Sequence, residues 1–158
     1  LFRKEFEQCE TDPRIFENKI RINVIGRTWM LPQDVQESIK SIMEKTRAHD
    51  RYLINFAIAY GGRAEVIDAT KKIAEQIKKG TLDIDKINEE SFSKQLYMAD
   101  EPELIIRTGG DHRTSNFLIW QSSYTEWIFL EKMWPEFEKE DLISCIEEYQ
   151  NRERRFGK

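Results

Sequence analysis

The residues best suited to chemistry are ten consecutive positions that begin at Arg107 and read RTGGDHRTSN. Arg107 and Arg113 carry planar guanidinium groups, and each can donate two parallel hydrogen bonds to a phosphate. Gly109 and Gly110 let backbone N–H groups approach a ligand closely, and Ser115 adds a hydroxyl donor. The segment therefore predicts a site that binds a diphosphate.

A purely structural interpretation of this segment stays open. The chain has 29 acidic residues, so each arginine can instead pair with a surface carboxylate, and the two glycines can form a simple turn. Ser115 can cap a helix that starts at Asn116. His112 is predicted to order the loop rather than to catalyse. A second glycine-containing stretch, Tyr60 to Arg63, is predicted to order an edge of the site.

Three short apolar runs predict the β-strands that position these loops: Ile20 to Gly26, Tyr52 to Tyr60, and Leu104 to Ile106. The second run, YLINFAIAY, is apolar at almost every position, which predicts a strand buried on both faces. A further apolar run, EWIFL, follows the third strand. The candidate diphosphate loop thus comes directly after a predicted strand.

Apolar residues at helical spacing separate the predicted strands. The stretch from Arg3 to Lys19 predicts a helix with a charged, solvated face, and the next helix begins near Pro32. A third helix ends at Gly80, which is expected to cap it. Thr81 to Asp100 predicts one or two short helices. The last helix is expected to turn four residues inward: Leu142, Cys145, Ile146 and Tyr149.

Strands that alternate with helices of this length predict an α/β fold with a mainly parallel central sheet flanked by helices. A length of 158 residues predicts one domain that spans residues 1–158. In parallel sheets, ligands bind beyond the carboxyl ends of the strands. The loop at Arg107 has that position.

The composition excludes several classes of protein. No long uninterrupted apolar run is present, which argues against a transmembrane helix. With 25 basic and 29 acidic residues the formal charge is −4, so a protein that coats nucleic acid is not expected. Only two cysteines occur, Cys9 and Cys145, which predicts neither a disulfide framework nor a zinc site and favours the reducing cytoplasm.

The stretch RTGGDHRTSNFLIWQSSYTE, from Arg107 to Glu126, resembles the signature of the cis-prenyltransferase family of the undecaprenyl diphosphate synthase type. NFAIAYGGRAEVIDA, MWPEF and RERRFG resemble further segments of that family. The resemblance implies the family fold and an enzyme that condenses isopentenyl diphosphate with an allylic diphosphate. The implied product is a long-chain cis-polyprenyl diphosphate, which serves as a lipid carrier for sugars.

The resemblance also implies roles for individual residues. Arg107, Arg113 and Ser115 would bind the diphosphate of isopentenyl diphosphate, and Glu126 would help bind Mg²⁺. Arg155 and Gly157 match the family's terminal Arg-x-Gly, which reaches the substrate of a neighbouring subunit, so a homodimer is expected. The implied location is the cytoplasm, with association with a membrane surface as an open alternative.

Two departures from the family pattern are visible. The family's DGNxRW motif, whose Asp assists Mg²⁺ binding and ionisation of the diphosphate, does not occur in these 158 residues, so the catalytic residue is unknown. Since the chain begins at Leu1 within a predicted helix, we expect it to be the C-terminal part of such a domain. Asp111 stands where the family usually has Glu. The alternative function is that of a non-catalytic partner subunit in a heteromeric cis-prenyltransferase.

Overall fold

A computed structural model describes residues 2–152, in two compact units, Leu1–Met98 and Ala99–Lys158. Each unit contains one pair of parallel β-strands. The prediction of an α/β fold with parallel strands and flanking helices is therefore confirmed. The prediction of one domain over residues 1–158 stays a prediction.

The first unit consists of α1 (Phe2–Cys9), α2 (Pro13–Glu17), β1 (Ile20–Ile25), α3 (Gln33–Lys45), β2 (Tyr52–Ala57), α4 (Gly62–Lys78) and α5 (Glu89–Ser93), with 3₁₀ turns at Thr28–Met30 and Ile84–Lys86. The predicted helix from Arg3 to Lys19 is wrong, because two helices occupy that stretch. Asp12 accepts a hydrogen bond from the backbone N–H of Arg14 at 2.9 Å, and Pro13 starts the second helix. A capping carboxylate followed by proline begins a new helix.

The core of the first unit lies between β1 and the first three helices. It consists of Phe6, Ile15, Ile22, Val24, Ile39 and Ile42. The fully buried Thr46 closes one edge of β1, because its Oγ1 accepts from the N–H of Ile22 at 3.0 Å and donates to the carbonyl of Ile42 at 2.8 Å. An edge strand whose N–H is satisfied by a side chain is protected from further pairing.

The burial predicted for the second strand is wrong. Tyr52, Leu53, Ile54 and Phe56 on β2 are between 38% and 52% exposed. Within residues 2–152, β2 pairs with β1 alone. A strand that is apolar on both faces requires packing partners on both faces, and in the described residues these partners are incomplete.

The predicted cap of α4 is confirmed. Gly80 has φ +70°, and its N–H donates to the carbonyl of Ile77 at 2.9 Å. The N–H of Thr81 donates to the carbonyl of Gln76, also at 2.9 Å. This pair of bonds is a Schellman motif, in which glycine adopts the left-handed conformation at no steric cost.

The second unit consists of β3 (Leu104–Thr108), β4 (Glu126–Leu130), a 3₁₀ turn at Trp134–Glu136 and α6 (Lys139–Asn151). Strands β3 and β4 are parallel, with Arg107 opposite Phe129. The inward face predicted for α6 is only partly present, since Cys145 is buried but Leu142 and Ile146 are more than a third exposed. No helix within residues 2–152 is long and apolar enough to span a membrane.

Candidate active site

Arg107 is held at the carboxyl end of β3 by the loop that follows it. Its Nη1 donates to the carbonyl of Arg113 at 2.5 Å and to Oγ of Ser115 at 2.8 Å. Its Nε is buried and has no hydrogen-bond partner among residues 2–152. The structure therefore brings Arg107 and Ser115 together and leaves the Nε donor of Arg107 unused.

Arg113 and Arg107 face the same carboxylate oxygen. Oδ2 of Asp111 accepts from Nη2 of Arg113 at 2.5 Å and lies 3.5 Å from Nη2 of Arg107. The structural interpretation is thus right that these arginines pair with an acid, but that acid belongs to the same loop. A second carboxylate, that of Glu131, also lies beside the loop, with Oε2 2.9 Å from the position that a Cβ on Gly110 would take. The two guanidinium groups remain the donors that suit an anion with several negative charges.

The loop glycines form the turn and do not serve a ligand. Gly109 and Gly110 have φ of +99° and +75°. Their N–H groups donate to the carbonyls of Lys132 at 2.8 Å and of Leu130, the last residue of β4, at 2.9 Å. The expectation that these N–H groups approach a ligand is therefore wrong, because the end of β4 already uses them.

No helix starts directly after Ser115, where residues 116–124 form turns, so the prediction that it acts as a helix N-cap is wrong. Ser115, Asn116 and Leu118 have φ of 47°, 63° and 46°, a region that side chains other than glycine and asparagine adopt at a cost. In this conformation the Ser115 hydroxyl accepts the hydrogen bond from Arg107. The strained backbone accompanies the contact that fixes the guanidinium.

A cavity of about 320 Å³ adjoins this loop. Its wall combines polar residues of the site, among them Arg107 and Ser115, with apolar side chains. The apolar contributors include Ile105, Phe117 and Trp127. A lining that pairs a guanidinium with hydrocarbon and aromatic surface suits a small ligand with an anionic head and an apolar tail.

His112 orders the same region through ring stacking. Its ring lies 4.8 Å from that of Phe129 at an interplanar angle of 10°, and Phe129 in turn stacks on Trp127 at 5.8 Å. Nε2 of His112 lies 4.0 Å from Oε1 of Glu131. These contacts support the predicted ordering role, with stacking in place of the expected hydrogen bond.

Glu126 lies apart from the loop. It is the first residue of β4 and pairs with Leu104, three positions before Arg107, so it is about 10 Å further back along the strands. Since side chains alternate along a strand, Glu126 also points to the opposite face of the sheet from Arg107. Its Oε2 accepts from Nη1 of Arg152 at 2.8 Å.

This placement bears on the Mg²⁺ implied by the resemblance. No group of three His, Cys, Asp or Glu side chains within residues 2–152 could hold a metal ion. Mg²⁺ needs only one or two carboxylates when phosphates and water complete its octahedron. Within one chain, however, Glu126 and a diphosphate on the loop lie at opposite ends of the strand pair, so these residues do not fit a Mg²⁺ that contacts both.

The remaining predicted site residues, Arg155 and Gly157, lie outside the described residues. Their roles stay predictions.

A second polar cluster, in the first unit, was not predicted from the sequence. Glu65 on α4 is 1% exposed and accepts from the N–H of Tyr97 at 2.8 Å and from the hydroxyl of Tyr60. Asp68, one turn further on, accepts from Nε and Nη2 of Arg27, both at 2.8 Å, and from the hydroxyl of Tyr97. The cluster ties the segments after β1 and β2 to α4.

The Arg27 guanidinium lowers the pKa of Asp68, and burial raises the pKa of Tyr97 to about 12. One sequence signal could have revealed the cluster. Glu65 stands four residues before Ala69 and eight before Ile73, which are both buried, so a carboxylate occupies the apolar stripe of α4. A charged residue at such a position requires partners.

The whole chain matches known proteins. Residues 1–157 match the family model described as "Putative undecaprenyl diphosphate synthase". The chain is 46% identical to the tritrans,polycis-undecaprenyl-diphosphate synthase (geranylgeranyl-diphosphate specific) of Methanocaldococcus jannaschii, over 100% of this chain and 58% of the relative. A protein of the same name from Pyrococcus horikoshii is 43% identical, over 100% of this chain and 61% of the relative. The chain thus spans about three fifths of the length of these curated relatives.

Two solved structures are also similar. Lavandulyl diphosphate synthase from Lavandula x intermedia, in complex with dimethylallyl diphosphate, matches with a TM-score of 0.90 and 31% identity, over 99% of this chain and 70% of that one. A "probable undecaprenyl diphosphate synthase" from Campylobacter jejuni matches with a TM-score of 0.84 and 34% identity, over 98% and 70%.

Proposed function

The chain belongs to the undecaprenyl diphosphate synthase family, and from this premise we propose that its loop at Arg107 binds isopentenyl diphosphate for condensation with an allylic prenyl diphosphate. The product would be a long-chain cis-polyprenyl diphosphate, which serves as a glycosyl-carrier lipid. Because the chain spans about three fifths of its curated relatives, this activity is proposed for the whole protein.

The observation that carries the proposal is the state of Arg107. Hydrogen bonds to Ser115 and to the carbonyl of Arg113 hold its guanidinium, while its buried Nε has no partner within residues 2–152. A donor fixed before the ligand arrives loses little conformational entropy on binding. A diphosphate oxygen would accept a hydrogen bond from this donor.

The adjoining cavity gives the isopentenyl group a place beside its diphosphate. Condensation breaks the C–O bond of the allylic diphosphate, joins the new cation to the double bond of isopentenyl diphosphate and releases a proton. The residues of this loop would hold the isopentenyl diphosphate by its charge, and Ile105, Phe117 and Trp127 would orient its double bond. Fixing that orientation both speeds the reaction and sets the geometry of the product.

We propose geranylgeranyl diphosphate as the allylic substrate. The curated relatives from Methanocaldococcus jannaschii and Pyrococcus horikoshii are both named as specific for it. At 46% and 43% identity over the whole chain, these relatives support a shared substrate class.

An enzyme is favoured over a non-catalytic partner subunit. A partner subunit has no need for substrate-binding arginines, whereas Arg107, Arg113 and Ser115 are all present, and Arg107 contacts both of the others. We also propose that the protein acts as a homodimer. Arg155 and Gly157 of one copy would then complete the diphosphate site of the other.

The proposal is tested by incubating the full-length protein with geranylgeranyl diphosphate and labelled isopentenyl diphosphate and measuring prenyl products. Arg107→Ala and Arg113→Ala should each weaken capture of isopentenyl diphosphate by about 2–3 kcal/mol, that is, raise KM roughly 30- to 150-fold, because a charge-assisted contact is lost. Arg14→Ala, which removes an exposed ion pair with Asp12, is the matched control.

Unchanged KM and kcat in both loop variants would show that the loop has a structural role only. If the wild-type protein forms no product alone but restores turnover when mixed with a catalytic subunit, the partner-subunit alternative holds.

A further inference from the structure

Arg152 joins two elements of the second unit. Helix α6 ends at Asn151, and Arg152 leaves it in an extended conformation with φ −79° and ψ 133°. Its Nη1 donates to Oε2 of Glu126 at 2.8 Å and to the carbonyl of Trp127 at 3.0 Å. Its Nη2 donates to Glu148, one turn back on α6. One guanidinium therefore links the end of α6 to the start of β4.

This linkage is stronger than an ordinary surface ion pair. The side chains of Arg152 and Glu126 are 32% and 30% exposed, so water screens them only in part. The bond to the Trp127 carbonyl adds a contact to the backbone of β4, and a backbone acceptor does not move away as a flexible side chain can. The ends of terminal helices usually fray, and this contact opposes fraying at the end of α6.

Glu126 has no comparable link to the diphosphate loop. It lies three pairing positions from Arg107 and on the opposite face of the strands. The contact that the structure gives to its carboxylate is with Arg152. A contribution of Glu126 to substrate binding within this chain thus has to pass through Arg152.

We infer that Arg152 is a positioning residue, which uses Glu126 to fix the point where the chain leaves α6 and so limits where the C-terminal residues can reach. Arg155 follows Arg152 by three residues and Gly157 by five, so a fully extended chain keeps them within roughly 10–18 Å of it. The inference rests on the proposed function for the consequence in catalysis. The mechanical link itself does not depend on that function.

The test compares Arg152→Met, Arg152→Lys, Glu126→Gln and the double variant Arg152→Met/Glu126→Gln in the full-length protein. Lys132→Met is the matched control, because it removes the ion pair between Lys132 and Asp141 at the other end of α6. Hydrogen exchange of the amides in residues 147–151 reports on the end of the helix. We expect about tenfold faster exchange in Arg152→Met and Glu126→Gln, no further gain in the double variant, and no change in the control.

Steady-state kinetics then measure the effect of each variant on KM for isopentenyl diphosphate and on kcat. Without the link, the point where the chain leaves α6 is no longer fixed, so KM for isopentenyl diphosphate should rise about three- to tenfold in Arg152→Met with little change in kcat. Arg152→Lys should recover part of the loss. If Arg152→Met does not fold, Arg152→Lys gives the comparison of KM, and Glu126→Gln is used for the exchange measurement alone.

Two results overturn the inference. Unchanged exchange in both single variants would show that the contact does not stabilise the end of α6. Faster exchange with an unchanged KM would show that the end of α6 has no effect on substrate binding. Absence of turnover in the wild-type protein would instead contradict the proposed function, while the exchange data would still decide whether Arg152 fixes the end of α6.

Discussion

Arg107 is held by its own loop through one end of its guanidinium. Both donors of Nη1 are engaged, by Ser115 and by the carbonyl of Arg113, and Nη2 faces Asp111. A lysine at this position could not make these contacts while presenting a further donor, because an ammonium lacks the planar fork. Ser115 therefore orients the guanidinium of Arg107 through its hydroxyl.

Glu126 carries a separate prediction about the metal. Oε2 is bound by Arg152, and Oε1 has no partner in the part of the chain that the structure describes. One carboxylate oxygen is enough to contribute to a Mg²⁺ site if water and the diphosphate of a second copy supply the other ligands. Glu126→Gln should then raise the Mg²⁺ concentration for half-maximal activity severalfold and leave the fold intact.

A Mg²⁺ titration of the reaction rate checks this, with circular dichroism as the control for folding. Arg152→Lys keeps the carboxylate and should keep the metal requirement. An identical requirement in wild type and Glu126→Gln would leave Glu126 as an anchor for Arg152 alone.

At the scale of elements, the turn after β1 depends on a single glycine. Gly26 has φ +119°, and a Cβ built there would lie 2.1 Å from the carbonyl oxygen of Ile58. Gly26→Ala should therefore destabilise the protein by more than about 3 kcal/mol, since a backbone atom must move. Gly80→Ala is the matched control: φ is +70° but nothing lies within 4 Å, so a cost of about 1–2 kcal/mol is expected.

Urea unfolding midpoints of the two variants give this comparison. Equal losses of stability would mean that the turn after β1 can relax around a side chain.

The cluster around α4 predicts a pH dependence. Because the Arg27 guanidinium lowers the pKa of Asp68 in the folded protein, the unfolded chain binds more protons in acid. This contribution to stability is fully present above the ordinary pKa of aspartate, about 3.9, and is lost as the pH falls through the lowered value. Stability should thus decline on acidification, and Asp68→Asn should remove part of that decline.

Measuring the free energy of unfolding between about pH 6 and pH 2 tests this, with the exposed Asp50→Asn as the control. An equal slope in Asp68→Asn and wild type would exclude a role of the Arg27 contact in acid denaturation.

The sequence predicts a structural feature well where residues close together in the chain determine it. Gly80 closes α4 as expected, because a Schellman motif depends on a few consecutive residues. The glycines after β3 were correctly read as a turn, but the acceptors of their N–H groups lie about 20 residues further along the chain. Likewise, only the pairing of β4 with β3 reveals that Glu126 is remote from Arg107. A local sequence pattern does not determine the register between strands that are distant in the chain.

At the scale of the whole molecule, β2 is the strand whose apolar side chains lack full cover in the described residues. Thr46 closes the outer edge of β1, whereas the apolar side chains of β2 remain partly exposed in the described structure. The curated relatives are longer, since the chain spans 58% and 61% of two of them.

The proposed homodimer makes the C-terminal tail testable. A terminal basic cluster is usually solvated, and its removal is then without effect. If Arg155 and Gly157 instead complete the site of the neighbouring subunit, deletion of residues 155–158 should lower activity while the dimer persists, because an arginine and a close backbone approach to the diphosphate are lost.

Mixing two impaired chains separates these cases. A chain without residues 155–158 keeps its loop, and a chain with Arg107→Ala keeps its tail. In a heterodimer, one of the two sites then has an intact loop from the first chain and an intact tail from the second. Mixed dimers should therefore recover activity, up to about half of wild type if a full heterodimer forms and its sites act independently. Native mass spectrometry verifies that heterodimers form, and activity no higher than the average of the two parents would show that the tail does not act across the interface.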